Sequence, residues 1–372
     1  MKYKNILFLS VLFLGWSCSH KLKTTANIEP AITTVSIVGE QFYINGKPTY
    51  QGMNWNGHTI EGLLMNSRMV NGIYDDENPV TREAIKYPDT KIWDADRNTN
   101  EFVQAMDEWY NHGLRAITLN LQGGSPLGYG NKGWINSGID ANGDLKPAYM
   151  QRMDKILKKA DAIGMVVIVG IYYFGQDQYV KDEAAVIKGV DNTLNWLFEK
   201  KYRHVLIEVN NECDIKEYDH AILKQDRVHE LIQRVRNTKK NGYRYLVGTS
   251  YKGQAIPKPN VVKVSDFILL HGNNVIRKGQ IEEMVDQTRK VDGYKPMPIV
   301  FNEDDHYDFN KEENNMISAV KKYSSWGFFD YRRKGESLEE GYQSIPVNWT
   351  INSQRKKEFF NAVKEMTSGN KR

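Results

Sequence analysis

A chain of 372 residues is long enough for one large domain or two ordinary ones. Its 40% hydrophobic and 26% charged residues suit a globular fold with a sizeable core and exclude a disordered or fibrous chain. The formal charge is +4, and without Lys2 and Lys4 the balance is 48 basic against 46 acidic residues. No basic stripe carries interleaved aromatics, so nucleic acid is not expected as a partner.

In chain order, Lys2 and Lys4 precede a short apolar run from Ile6 to Leu14, too brief for a permanent membrane span. Gly15-Trp16-Ser17-Cys18 then resembles a bacterial lipobox. Residues 1–17 are expected to be a signal peptide, with lipid on Cys18 and residues 18–34 as a polar, Thr-rich tether. This implies an exported lipoprotein, periplasmic or anchored at the outer membrane or cell surface. Cys213 is then the only remaining thiol, so no disulfide is expected. Residues 35–372 read as a single domain and a monomer.

Val35–Val38 and Gln41–Pro48 contain Asn45-Gly46, a strong hairpin signal. Eight apolar, β-branched runs follow: Thr49–Trp55, Ala116–Leu121, Met165–Tyr173, Val205–Val209, Tyr245–Thr249, Phe267–Leu270, Ile299–Phe301 and Gly327–Tyr331. Helical periodicity fills most of the gaps, as in Asn100–His112, Pro147–Ile163 and Gln225–Asn237, and several such segments end at glycine. Continuous apolar strands alternating with helices imply a parallel sheet covered on its outer face. Eight repeats make a (β/α)8 TIM barrel with an N-terminal β-hairpin. A doubly wound sheet is the alternative, but no glycine-rich phosphate loop follows an early strand. Prolines 257 and 259 leave little room for a fifth helix. Residues 56 to about 98 form a long first βα loop, read as a wall of a substrate cleft.

Two of the runs stop abruptly on Asn-Glu: Ile207 to Glu212, and Pro298 to Glu303. Barrel chemistry is done at the carboxyl ends of strands, and a partly desolvated glutamate is costly to keep there. A pair of them suits glycoside hydrolysis, in which one carboxyl protonates the leaving oxygen and the other attacks the sugar or activates water. The other strand ends supply Asn54, Trp55, His58, Asn120, Gln122, Tyr172, Asn211, His271, Asn273, His306 and Tyr331 as candidate substrate contacts. Aromatic faces stack on pyranose rings while amides bond hydroxyls.

On these residues the chain resembles glycoside hydrolase clan A, the retaining (β/α)8 enzymes that include cellulase-like and mannanase-like families. The resemblance spans roughly residues 40 to 355. It implies Asn211-Glu212 as the acid/base pair ending the fourth strand and Glu303 as the nucleophile ending the seventh. It also implies Asn211 on the sugar 2-hydroxyl, a carbohydrate substrate and no cofactor. The chain departs from the pattern at His271-Gly272-Asn273, where cellulase-like members have a tyrosine touching the nucleophile. Trp326 also precedes the eighth strand instead of ending it, and Tyr172-Tyr173-Phe174 replaces a histidine.

Other readings compete. Glu208 shares a strand with Glu212 and could instead be a buried ion-pair partner. Glu303-Asp304-Asp305-His306 could bind a divalent cation, giving a metal-dependent hydrolase, or simply support Glu303. A glycan-binding lipoprotein that does not turn over substrate is the alternative from another class.

Overall fold

The computed structural model describes residue 1, residues 33–128 and residues 132–369; the expected signal peptide, Cys18 and most of the tether lie outside the described residues. Eight short parallel strands form the centre: β1 (Asn66–Arg68), β2 (Ala116–Asn120), β3 (Val166–Tyr172), β4 (Val205–Asn210), β5 (Leu246–Gly248), β6 (Ile268–His271), β7 (Ile299–Glu303) and β8 (Gly327–Phe329). Pairing runs continuously in the order β5-β4-β3-β2-β1-β8, and β6 pairs with β7. The Phe329 amide donates to the Asp304 carbonyl at 2.8 Å, joining β7 to β8. The Asp266 amide donates to Val247 at 2.9 Å, joining β5 to β6, so the ring closes as a (β/α)8 barrel.

The helices are α1 (Ala95–Asn111), α2 (Pro147–Ile163), α3 (Glu183–Lys200), α4 (Val228–Asn237), α5 (Pro259–Val262), α6 (Gln280–Thr288), α7 (Asn315–Lys321) and α8 (Gln354–Thr367). Their ends follow local chemistry. Asp94, Asp182 and Ser353 cap α1, α3 and α8 by accepting from backbone N–H groups of the first turn. Pro147 opens α2, and Gly164 closes it in the left-handed region. Helix α5 is a single turn, as its prolines imply.

The barrel has a closed end and a working end. Val35–Val38, Gln41–Ile44 and Lys47–Pro48 form an antiparallel sheet under the amino ends of the strands, turning at Asn45-Gly46, where both φ angles are positive. Val35 and Phe42 from this sheet pack with Leu64, Ala116, Val166, Leu206 and Val300 inside the barrel. Phe42 meets Phe267 edge-on at 6.4 Å.

Two expectations need correction. The first barrel strand is Asn66–Arg68, not Thr49–Trp55. Asn54 and Trp55 instead pair with His58-Thr59 in a small hairpin, and Trp55 Nε1 donates to Glu365 near the end of α8. Tyr50 beside them donates to the carbonyl of Gly113, which lies just ahead of β2. Asn54, Trp55 and His58 are therefore at the closed end and cannot line a site at the carboxyl ends. The true strand escaped notice because its inward residues are polar. Asn66 donates to the carbonyls of Leu64 and Phe301, and Ser67 donates to Phe328.

The segment from β1 to α1, residues 69–94, is long but is scaffold, not cleft wall. Ile73, Tyr74, Ile85 and Tyr87 are buried, and Trp93 nearly so. Tyr87 stacks on Trp93 at 5.5 Å, with Arg97 over its other neighbourhood at 3.9 Å from the ring centre. Burying these large rings contributes more than a solvated loop could.

Candidate active site

Glu303 is the last residue of β7, and Glu212 lies two residues beyond β4. Both are nearly buried, at 5% and 9% exposure. An oxygen of each and a ring nitrogen of His271 all lie within 4.8 Å of one another. Glu212 has φ +51°, in the left-handed region that non-glycine residues rarely adopt, so the local chain is held against its own preference. Its amide donates to Ser250 Oγ at 2.9 Å, and the Cys213 amide donates to the Ser250 carbonyl at 2.9 Å. Tyr218 donates to the Asn211 carbonyl at 2.5 Å. These bonds, from the end of β5 and from within the loop after β4, hold the backbone that carries Glu212.

Arg68, at the end of β1, organises the charges. Its Nε is 2.5 Å from Glu303 Oε2, one terminal nitrogen donates to Asn211 Oδ1 at 2.6 Å, and the other is 3.4 Å from Glu208 Oε2. Glu208 is wholly buried and also accepts from Ser250 Oγ at 2.6 Å. It is the ion-pair partner, and Glu212 is the carboxyl that reaches the mouth. Burial works against the Arg68 cation, but the charges of Glu303 and Glu208 outweigh it and raise its pKa.

His271, at the end of β6, has Nδ1 2.9 Å from Glu212 Oε1 and 3.6 Å from Glu303 Oε2. Burial disfavours its cation, yet Glu303's charge and Glu212's hydrogen bond and charge prevail and raise its pKa. Asn273 donates to Glu303 Oε1 at 2.6 Å, so an amide occupies the donor role that the resemblance assigns to a tyrosine. Between them, Gly272 is required by space, because a Cβ there would stand 2.1 Å from Asp304 Oδ2.

The remaining candidates separate. Tyr172 points outward, donating to the Val186 carbonyl of α3 at 2.7 Å, so it does not face substrate. Its neighbour Tyr173 lies near the two carboxylates instead: burial and then the charges of Glu303 and Glu212 hold its phenol far above the usual range. A Cβ on Gly123 would collide with the Tyr173 ring at 2.1 Å, so glycine lets the loop after β2 close over it. Gln122 is used up in structure, bonding Ser137 Oγ at 2.9 Å and the Tyr173 amide at 3.4 Å. Asn120 is buried beside Gly170 inside the barrel. Tyr331 lies on the rim at the end of β8, and His306 bonds Asp304 Oδ1 at 2.7 Å.

Sequence reasoning missed Arg68. The signal was present, since Leu63-Leu64-Met65 is an apolar run stopping on polar residues, the same pattern that marks the glutamates. Among the described residues, two clusters have metal-ligand spacing, Glu212–His271–Glu303 and Asp304–Asp305–His306. In the first, Glu303 is already paired with a guanidinium. In the second, Asp304 Oδ2 already accepts from Trp326 Nε1 and Asn315 Nδ2, each at 2.9 Å. Asp304 thus supports the end of β7.

Two cavities open on loops that follow the strands at this end of the barrel. One, of about 380 Å³, is lined by Trp134, Tyr173, Phe174, Gln176, Tyr179 and Lys132. The other, of about 450 Å³, is lined by Leu127, Tyr331, Arg332, Arg333, Lys334 and Glu336. The segment between Ser125 and Leu127 borders both.

No protein-family model and no curated protein matches this chain. Among solved structures it is similar to an endo-1,4-β-mannanase from Rhizomucor miehei, with TM-score 0.56 and 11% identity over 90% of this chain and 99% of that one. It is also similar to a broad-specificity endoglucanase of glycoside hydrolase subfamily 5-4 from Clostridium longisporum, with TM-score 0.55 and 13% identity over 82% of this chain and 96% of that one. A Bacteroides vulgatus protein titled as a glycoside hydrolase matches with TM-score 0.52 and 11% identity over 88% of this chain, which spans only 59% of that longer one. The class defined by the architecture is the (β/α)8 barrel. These glycoside hydrolases share that (β/α)8 fold.

Proposed function

We propose that the protein is a retaining β-glycoside hydrolase acting on a poly- or oligosaccharide by double displacement. The observation that carries this reading is the approach of Glu212 and Glu303 to within 4.8 Å, oxygen to oxygen. Retaining enzymes hold the two carboxyl groups about 5–5.5 Å apart, whereas inversion needs roughly 6.5–9.5 Å for a water. The mannanase and endoglucanase with the same fold support a carbohydrate substrate.

In the first step Glu212 gives its proton to the glycosidic oxygen as the bond to the anomeric carbon breaks. Glu303 attacks that carbon and forms a glycosyl ester. In the second step Glu212 takes a proton from water, whose oxygen displaces Glu303 and restores the original configuration. Arg68 and Asn273 orient the nucleophile, and His271 orients Glu212. Asn211 is the candidate partner of the sugar 2-hydroxyl, with its oxygen already held by Arg68. Export and lipid attachment at Cys18 belong to the same reading; labelled fatty acid should be incorporated by the native chain and not by Cys18→Ala.

The test follows each catalytic group. Glu303→Ala should abolish turnover and leave folding intact. Glu212→Ala should still be glycosylated by an aryl β-glycoside with a good leaving group, and azide should then restore rate and yield a β-glycosyl azide. A first-formed product of inverted configuration, or undiminished activity in Glu303→Ala, would overturn the mechanism. Loss of activity on chelation would favour the metal-dependent alternative. A protein that holds glycans but turns over no substrate would be the binding module.

A further inference from the structure

The mouth of the barrel has one face whose positive charge is only partly compensated. Arg332, Arg333 and Lys334 follow one another directly after β8 and line the 450 Å³ cavity together with Tyr331. The acidic residues of the same loop are committed elsewhere. Arg355, on α8, pairs with Asp330 at 2.7 Å, Glu336 at 2.7 Å and Glu340 at 3.1 Å. Arg332 instead spends its terminal nitrogens on the carbonyls of Pro346 and Ile345, at 3.2 and 3.0 Å. Arg333 stacks between Tyr307 and Tyr331, its guanidinium carbon 4.5 and 4.8 Å from their ring centres. Asp305 offers Arg333 only its carbonyl, at 3.4 Å, while its carboxyl faces His306 and the Asn274 amide. Among the described residues, none of the three side chains forms an ion pair with a carboxylate; Glu336, on the same cavity wall, accepts from the Arg333 amide at 2.6 Å and gives its ion pair to Arg355.

This arrangement is rigid as well as charged. Aromatic stacking and backbone carbonyls, not ion pairs, fix the two guanidinium groups, which suits a planar or tetrahedral oxyanion. The site adjoins the reaction centre, because Arg333 touches Asp305, two residues beyond Glu303. Across the segment from Ser125 to Leu127, Trp134, Tyr173 and Phe174 offer faces suited to the apolar sides of sugar rings.

We propose that the chain cleaved here is anionic: a β-linked oligosaccharide carrying a carboxylate or sulfate, gripped at Arg332, Arg333 and Lys334 while neighbouring rings lie on those aromatic faces. The proposal rests on the glycosidase reading and narrows it to acidic glycans.

The test uses the full chain with Glu303→Gln, to stop turnover, in affinity electrophoresis against β-linked polysaccharides in matched pairs. Each uronate polymer is run beside its carboxyl-reduced form, and each sulfated polymer beside its desulfated form. The tightest ligand should lose roughly tenfold in apparent affinity when its charge is removed, as expected for one strong ion pair. Whether the carboxylate or the sulfate pair responds identifies the anion. Arg333→Gln and the exposed Lys334→Ala should each erase most of that difference, with the melting temperature checked so that misfolding is not mistaken for lost recognition. A neutral polymer as tightest ligand, a charge preference that survives both substitutions, or no retardation by any acidic member overturns the proposal. Hydrolysis of activated aryl β-glycosides by the wild type, and its loss in Glu303→Ala, judges the glycosidase reading separately. That reading can fail while the binding experiment still decides the cationic subsite.

Discussion

Arg68 is the residue on which the site depends most, since it alone touches Glu303, Glu208 and Asn211. Arg68→Met would strip two buried carboxylates of their guanidinium, and a broken buried pair costs about 3–5 kcal/mol. Urea denaturation should register that loss even before activity is measured. His271 gives a pH-dependent counterpart. Its folded-state pKa is raised, so the stabilisation from its cation is complete below the unfolded value of about 6.5. It is lost as pH rises through the higher folded value. The stability advantage of the wild type over His271→Gln should therefore shrink on the alkaline side of pH 6.5, measured by denaturation across a pH series. The glutamates were legible because an apolar strand that stops on Asn-Glu is a conflict that needs a reason. Arg68 was missed because its only signal is the short apolar run Leu63-Leu64-Met65, while the strand itself, Asn66–Arg68, is polar and carries no hydrophobic period. The fate of Gln122 and Tyr172 was equally hidden, since their partners Ser137 and Val186 come from other elements.

Among the elements, the seven runs from Ala116 onward could be located to within a residue or two. They are buried on both faces and so are continuously apolar. Helix α8 was not anticipated, although Phe359, Phe360, Val363 and Met366 recur on one face and are buried. The N-terminal sheet behaves as a plug. Phe42→Ala would leave a cavity among Leu64, Phe267 and Val300 and should cost about 3–5 kcal/mol, readable as a lowered denaturation midpoint. Shortening residues 75–90 should likewise unfold the domain and not merely alter specificity. That stretch buries Ile85 and Tyr87 and carries Asp76, which accepts from the Ile135 amide at 3.0 Å. A truncated chain that kept the native melting temperature would contradict this.

For the molecule as a whole, the two ends of the barrel divide the work. Thr33 and Val35 are tied to the closed end, where the Thr33 amide donates to Asp161 at 2.7 Å and the Val35 amide to the Arg203 carbonyl at 2.9 Å. Both glutamates, both cavities and the cationic rim occupy the other end. Coupling the protein to a bead through its N-terminus should leave polysaccharide turnover nearly unchanged. Coupling it through Leu127→Cys, on the rim, should block polymers yet spare small aryl glycosides. Equal polymer turnover on both beads would show that the mouth is not where long chains enter. A chain held at Thr33 would therefore stand with its back to whatever holds it. On a cell envelope the barrel axis would point into the medium, so that long polymers could be gripped and cut without first threading between the protein and the surface behind it.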